Sequence, residues 1–163
     1  MKYEITNIQH PANPNLFRIR ALRDISLFNV KAGELGGYVE QGENLSQEGE
    51  CWVGGDARIC DYATVEDIAC VYGNALIFGE AWVHDSAHVF GDARVWDKAR
   101  IYRQAVLNER MSVSGVCHIT SASQIYYIDG IITAYFDVRG KLIVNGNPSD
   151  IEHHKTLARL KLL

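Results

Sequence analysis

Several features common in specialised chains are missing from this one. Lysine and arginine form no run, and 16 basic residues stand against 20 acidic ones, a formal charge of −4. That argues against a nucleic-acid partner, which usually meets a basic stripe, and the acidic excess is too small to make the chain a DNA mimic. No apolar stretch approaches the ~18 residues a membrane helix needs. Met1 to His10 lacks the charged start and apolar core of a signal peptide. The four cysteines, Cys51, Cys60, Cys70 and Cys117, contain no CxxC pair. Free thiols without an export signal lead us to expect a reducing, cytoplasmic setting. What remains is 163 residues, 47% hydrophobic and 22% charged, enough for one domain with a real core.

The informative signal is an internal repeat. Aliphatic residues recur every six positions at Val53, Ile59, Val65, Val71, Ile77, Val83, Val89, Val95, Ile101, Leu107, Val113, Ile119 and Ile125. Two residues before the aliphatic sits a small one: Ala57, Ala63, Ala69, Ala75, Ala81, Ala87, Ala93, Ala99 and Ala105, relaxing to Met111, Cys117 and Ser123. A strand alternates faces, so Ala–x–Val points Ala and Val inward and x outward. Two residues after the aliphatic come Gly55, Asp61, Asp67, Gly73, Gly79, Asp85, Gly91 and Asp97. These are residue types that tolerate the positive φ of a tight corner. A strand and a corner every six residues make a coiling prism, although spacing alone does not fix how many sides it has.

The aliphatic–x–x–x–small–x pattern resembles the hexapeptide-repeat superfamily, which implies a left-handed parallel β-helix with three sides and 18 residues per coil. The expected fold is all-β: about four coils over residues 53–126, an N-terminal β cap over 1–52, and a C-terminal β-hairpin with a short helix over 127–163. Leu16 to Leu22 reads as a strand of the cap and Val30 to Val39 as a glycine-rich turn. Ile125–Ile128, Ile131–Phe136 and Lys141–Val144 read as strands. Ser149 and Glu152 have capping-box spacing for a helix opening at Pro148. The segments RIRALRDI, VKAGELGGYVE and NLSQEGECWV resemble YdcK-like proteins of bacteria, phages and prophages. Gly33, Gly36 and Gly37 could pass for a phosphate loop, but a β pattern follows them where such a loop needs a helix.

Stacking outward residues 18 apart gives three columns: Arg58, Leu76, Arg94 and Ser112; Thr64, Trp82, Arg100 and His118; Cys70, His88, Val106 and Gln124. At the corners Tyr72 falls over Phe90, Phe78 over Trp96, and His84 over Tyr102. Aromatic columns can simply stabilise the solenoid or be covered by another subunit. Alternatively Trp82 beside Arg100 can stack a planar anion. Trp82, Arg100 and His118 are therefore the first candidates for ligand or partner binding, with Arg58 and Arg94 next.

Superfamily resemblance also implies two kinds of catalysis. A γ-class carbonic anhydrase holds zinc with three histidines, two of them spaced His–x–x–x–x–His; here His84 and His88 are one residue closer, and His153 and His154 are adjacent. No metal and no cofactor are therefore expected. Acetyltransferases of the superfamily interrupt their hexads with a loop carrying a catalytic histidine, and this run has no interruption. If the chain were a transferase, His84 or His88 would be its base, with Asp85 the one carboxylate nearby. The expectation that results is a non-enzymatic phage- or prophage-type protein, homotrimeric, binding a host protein or a small anionic ligand. A counter-defence role would rest on the resemblance alone. The competing expectations are an acyl-CoA-dependent transferase and a purely structural trimeric module.

Overall fold

In the computed structural model the described residues are 1–107, 112–115, 118–120, 125–128, 132–136 and 142–145, the last three segments as strands only. Met111, Cys117, Ser123, Gln124, His153, His154 and the expected helix from Pro148 lie outside the described residues. Within them the chain is nearly all β, with two short 3-10 turns, Ser26–Phe28 and Gly42–Asn44. No helix among the described residues is long and apolar enough to cross a membrane.

The hexads form a β-solenoid of two-residue strands stacked in parallel on three sides. One side carries Arg58–Ile59, Leu76–Ile77, Arg94–Val95 and Ser112–Val113. The second carries Thr64–Val65, Trp82–Val83, Arg100–Ile101 and His118–Ile119. The third carries Trp52–Val53, Cys70–Val71, His88–Val89 and Val106–Leu107. Every rung is in register with the residue 18 positions on, so the sequence columns are spatial columns. The bonds that set this register repeat without drift: Arg58 N donates to Ala75 O at 2.9 Å, Cys70 N to Ala87 O at 2.9 Å and Trp82 N to Ala99 O at 2.9 Å.

The interior consists of the repeated aliphatics and alanines. Val53, Ile59, Val65, Val71, Ile77, Val83, Val89, Val95, Ile101 and Leu107 are all fully buried. Each contributes about 1.5–3 kcal/mol of burial. Alanine is needed because facing strands approach closely across a narrow prism. The corners take positive φ, 53° at Asp61, 58° at Asp67 and 53° at Asp85. Each of these aspartates also accepts a hydrogen bond from the corner N–H one coil on: Asp61 Oδ2 from Gly79 N at 2.9 Å, Asp67 Oδ2 from Asp85 N and Asp85 Oδ2 from Arg103 N, both at 3.0 Å.

The N-terminal end departs from expectation in two ways. A strand that the sequence pattern did not reveal, β1 (Tyr3–His10), pairs antiparallel with β2 (Asn13–Ala21). The supposed glycine-rich turn ends in a strand, β3 (Leu35–Val39), which pairs with β2 on one edge and parallel with Arg58–Ile59 on the other. Parallel stacking thus begins at Tyr38 and at Leu45, which bridges Val65, ahead of Val53. The hexad register had hidden this because two extra residues separate Leu45 from Val53. Gly37 occupies an alanine position of the repeat, and a β-carbon there would come within 2.5 Å of Ala57 O. Close approach, not a turn, explains the glycine. At the other end, Ile125–Ile128, Ile132–Phe136 and Leu142–Asn145 form an antiparallel three-stranded sheet, as the strand pattern implied.

The inside–outside assignment gives a direct test. Ala93 is fully buried while Arg94 is exposed. Ala93→Leu overpacks the prism and should lower stability by about 1–3 kcal/mol or more. Arg94→Leu should stay within about 0.5 kcal/mol of the parent. Thermal melts of the two variants decide it, and a larger loss for Arg94→Leu would reverse the assignment.

Candidate functional site

The second side builds the densest chemical surface. The rung register places Arg100 between Trp82 and His118. The Arg100 guanidinium lies 5.2 Å from the centroid of the Trp82 ring. Among the described residues it has no carboxylate partner, whereas Arg18, Arg20 and Arg23 are each paired with one. Trp82 Nε1 is buried with no acceptor.

Two corner residues join this column. His84 packs on Trp82 with ring centroids 4.1 Å apart, Tyr102 stacks on His84 at 5.0 Å and 2°, and His118 meets Tyr102 edge-on at 5.9 Å. Trp82, His84, Arg100, Tyr102 and His118 therefore make one continuous aromatic and cationic surface across a side and its corner. His84 and Tyr102 were legible as a stacked pair, but not as part of this surface. The signal is that each lies two residues after a member of the column.

The remaining candidates fall elsewhere. Arg58 and Arg94 share the first side but sit two rungs apart with Leu76 between. Arg58 Nε is buried without a partner, and its Nη2 reaches Asn74 O at 3.4 Å. His84 and His88 belong to different ring contacts: His88 meets Phe28 edge-on at 6.0 Å on the third side, whereas His84 stacks with Trp82 and Tyr102. The other two expected corner stacks are present, Tyr72 on Phe90 at 5.0 Å and Phe78 on Trp96 at 5.8 Å, each within 7° of parallel.

His84 has more carboxylate company than its sequence neighbours suggested. Its Nδ1 lies 3.4 Å from Asp85 Oδ1 and 4.0 Å from Asp67 Oδ2. Asp67 was findable, being 18 residues before Asp85. One ligand atom from each of the three residues lies within 4.8 Å of the others. Both carboxylates are already engaged, Asp67 with the backbone N–H of Asp85 and Asp85 with that of Arg103. The trio is accounted for as a corner ladder with a histidine resting on it.

The described cysteines sit in surroundings that suppress the thiolate. Burial pushes the Cys60 thiol up to about 11 and the Cys70 thiol up to about 12. Burial also raises Cys51, although Lys2 opposes it: Lys2 Nζ donates to Cys51 Sγ at 2.9 Å in the interior.

No family model matches this sequence, and no curated protein matches it either.

Because the thiolate is the reactive form, native Cys60 and Cys70 should alkylate slowly with iodoacetamide at mildly alkaline pH. Unfolding returns them to the ordinary thiol range near 8.5, so rates should rise by roughly a hundredfold or more. Mass-spectrometric mapping of labelled peptides reads this directly. Labelling of native Cys60 at the unfolded rate would contradict its placement.

Proposed function

We propose that this protein acts by binding, and that the Trp82–Arg100–His118 column, edged by His84 and Tyr102, takes a small anionic ligand with a planar group. The observation that carries the reading is the Arg100 guanidinium set over the Trp82 ring without a carboxylate to neutralise it. An indole and a guanidinium on one surface offer stacking and charge together, and each strengthens when solvent is excluded. A host protein with an acidic surface would use the same chemistry. A phage-type, counter-defence setting rests on the sequence resemblance.

We also infer a homotrimer. Three aromatic stacks run along the outward corners, five of their six rings half-buried and Tyr72 exposed, and aromatic rings of this kind are enriched at subunit contacts. Subunits meeting along these corners would bring the Trp82 column close to a boundary and exclude water from it.

One experiment separates ligand site from subunit contact. In the doubly substituted Trp82→Ala, Arg100→Ala protein, light scattering should still show a trimer, against 18.3 kDa for one chain. Co-purifying anionic ligand, followed by mass spectrometry, should be lost. Loss of the trimer would make the column an interface. Retention of both trimer and ligand would remove it from consideration.

A transferase reading has one observation in its favour, the His84 imidazole resting against Asp85 and Asp67, as an oriented base would. Against it, Trp82 and Tyr102 pack on the His84 ring, leaving little room for an acceptor. The hexads also run from Val53 to Leu107 with no inserted loop to close over one. Calorimetry with acetyl-CoA should show no binding in the micromolar range; binding abolished by His84→Ala would overturn the non-enzymatic reading.

A further inference from the structure

The third side differs from the other two in charge. Its column, Trp52, Cys70, His88 and Val106, contains no lysine or arginine, whereas Arg58 and Arg94 occupy the first side and Arg100 the second. It also differs in what covers it. Trp52 and Cys70 hold outward positions of the repeat yet are only 4% and 5% exposed. The N-terminal segment that follows the turn Ser26–Phe28 runs alongside them.

Between that segment and the solenoid lies a groove of about 410 Å³, lined among others by Phe28, Glu34, Trp52, Gly54, Tyr72 and His88. That volume is within the range of small-molecule sites. The rings are held in place: Phe28 stands edge-on to His88 at 6.0 Å and 77°, and Tyr72 is backed by Phe90 at 5.0 Å. Tyr72 keeps 39% of its surface open. Glu34 is the one acidic residue on the lining, and neither lysine nor arginine lines it. Glu34 is exposed, and its carboxylate makes no hydrogen bond or ion pair among the described residues.

Aromatic rings present negative faces, and an unneutralised carboxylate adds a full charge. Together they attract a cation. A bare alkali or ammonium ion keeps its hydration and gains little from ring faces. An ammonium carrying methyl groups is weakly hydrated and has apolar surface to bury against Phe28 and Tyr72, over a floor that Trp52 underlies. We propose that this groove binds a small N-methylated organic ammonium ion, as a second site separate from the Trp82–Arg100 face.

Gly54 supplies a clean control. A β-carbon there would stand 3.5 Å from Trp52 Cδ1 and 3.8 Å from Tyr72 Cβ, which is ordinary contact. Gly54→Ala should therefore keep the fold while narrowing the groove, and Gly54→Leu should fill it. Glu34 is exposed and unpaired, so Glu34→Gln removes the charge without disturbing a partner.

The test is an NMR titration of the full chain with tetramethylammonium chloride, against sodium chloride at equal ionic strength. The Trp52 indole N–H and Tyr72 ring signals should shift saturably with tetramethylammonium alone. Glu34→Gln and Gly54→Leu should each weaken binding by about tenfold or more. Gly54→Ala should weaken it less, with unchanged melting, and Trp82→Ala should leave it intact. No saturable shift in the folded parent, equal shifts with sodium, or parent-like binding in Glu34→Gln would each overturn the proposal. So would dissociation of an oligomer by Glu34→Gln, because the groove would then be holding a cationic side chain of a second copy.

Discussion

The constraint on which this molecule depends is a backbone that must take positive φ once every six residues and still hand its polar groups to the next coil. A bond from each rung N–H to a carbonyl 17 residues on holds the three sides in parallel. The ladder closes only if the chain turns tightly between sides. Glycine meets the turn at no steric cost at Gly55, Gly73 and Gly79, where a β-carbon would press on the next coil's backbone at roughly 3 Å. Aspartate meets it at Asp61, Asp67, Asp85 and Asp97 and uses its carboxylate to accept the next corner's N–H. The two residue types are different solutions to one problem, and the corners mix them differently: among the described residues one runs Gly55, Gly73, Gly91, a second Asp61, Gly79, Asp97, Gly115, and a third Gly49, Asp67, Asp85, Arg103.

That division bears on the site. The His84 ring rests on the corner where aspartates succeed one another, so its carboxylate neighbours are products of corner chemistry and would be there with or without catalysis. An oriented histidine–carboxylate pair is ordinarily a pointer to a base. Here each carboxylate has a structural task that an observer of the isolated pair would miss. The unneutralised Arg100 has no such explanation, because an outward strand position imposes no residue type on the fold.

The repeat was readable from the sequence because its contacts are regular: knowing one coil gives all of them, including the stacking of Tyr72 on Phe90 and of Phe78 on Trp96. The cap was read less well because its contacts are singular and distant. Arg18 donates to Gly36 O and Gly55 O and pairs with Asp56, and its guanidinium covers Tyr38 at 4.4 Å. Asn44 is fully buried and satisfies all four of its side-chain sites, accepting from Glu40 N and Gln41 N and donating to Asp61 O and Ala63 O. Tyr3 bonds Leu45 O at 2.7 Å, and its burial pushes the phenol up to about 12. None of these pairings has a period, so no pattern in the sequence announces them. The same holds for Asp67 beside His84, which 18-residue arithmetic finds only when corners are stacked as well as strands.

Within the solenoid the inward and corner positions are committed to folding, which leaves about two residues of each hexad free to vary. Selection for function can act only there and on the cap. On the second side those free positions hold an indole, a guanidinium and an imidazole in register, whereas on the third the cap encloses the rings and contributes Glu34. The cap therefore does more than close an exposed edge: by covering Trp52 and Cys70 it turns an otherwise flat side into a concave one. A flat solenoid face gains depth only from a neighbouring subunit or from such an overlying segment. Under the proposed trimer the two candidate surfaces should thus respond differently to dilution, the Trp82 face losing a water-excluding neighbour as subunits separate and the third-side groove, built within one chain, persisting.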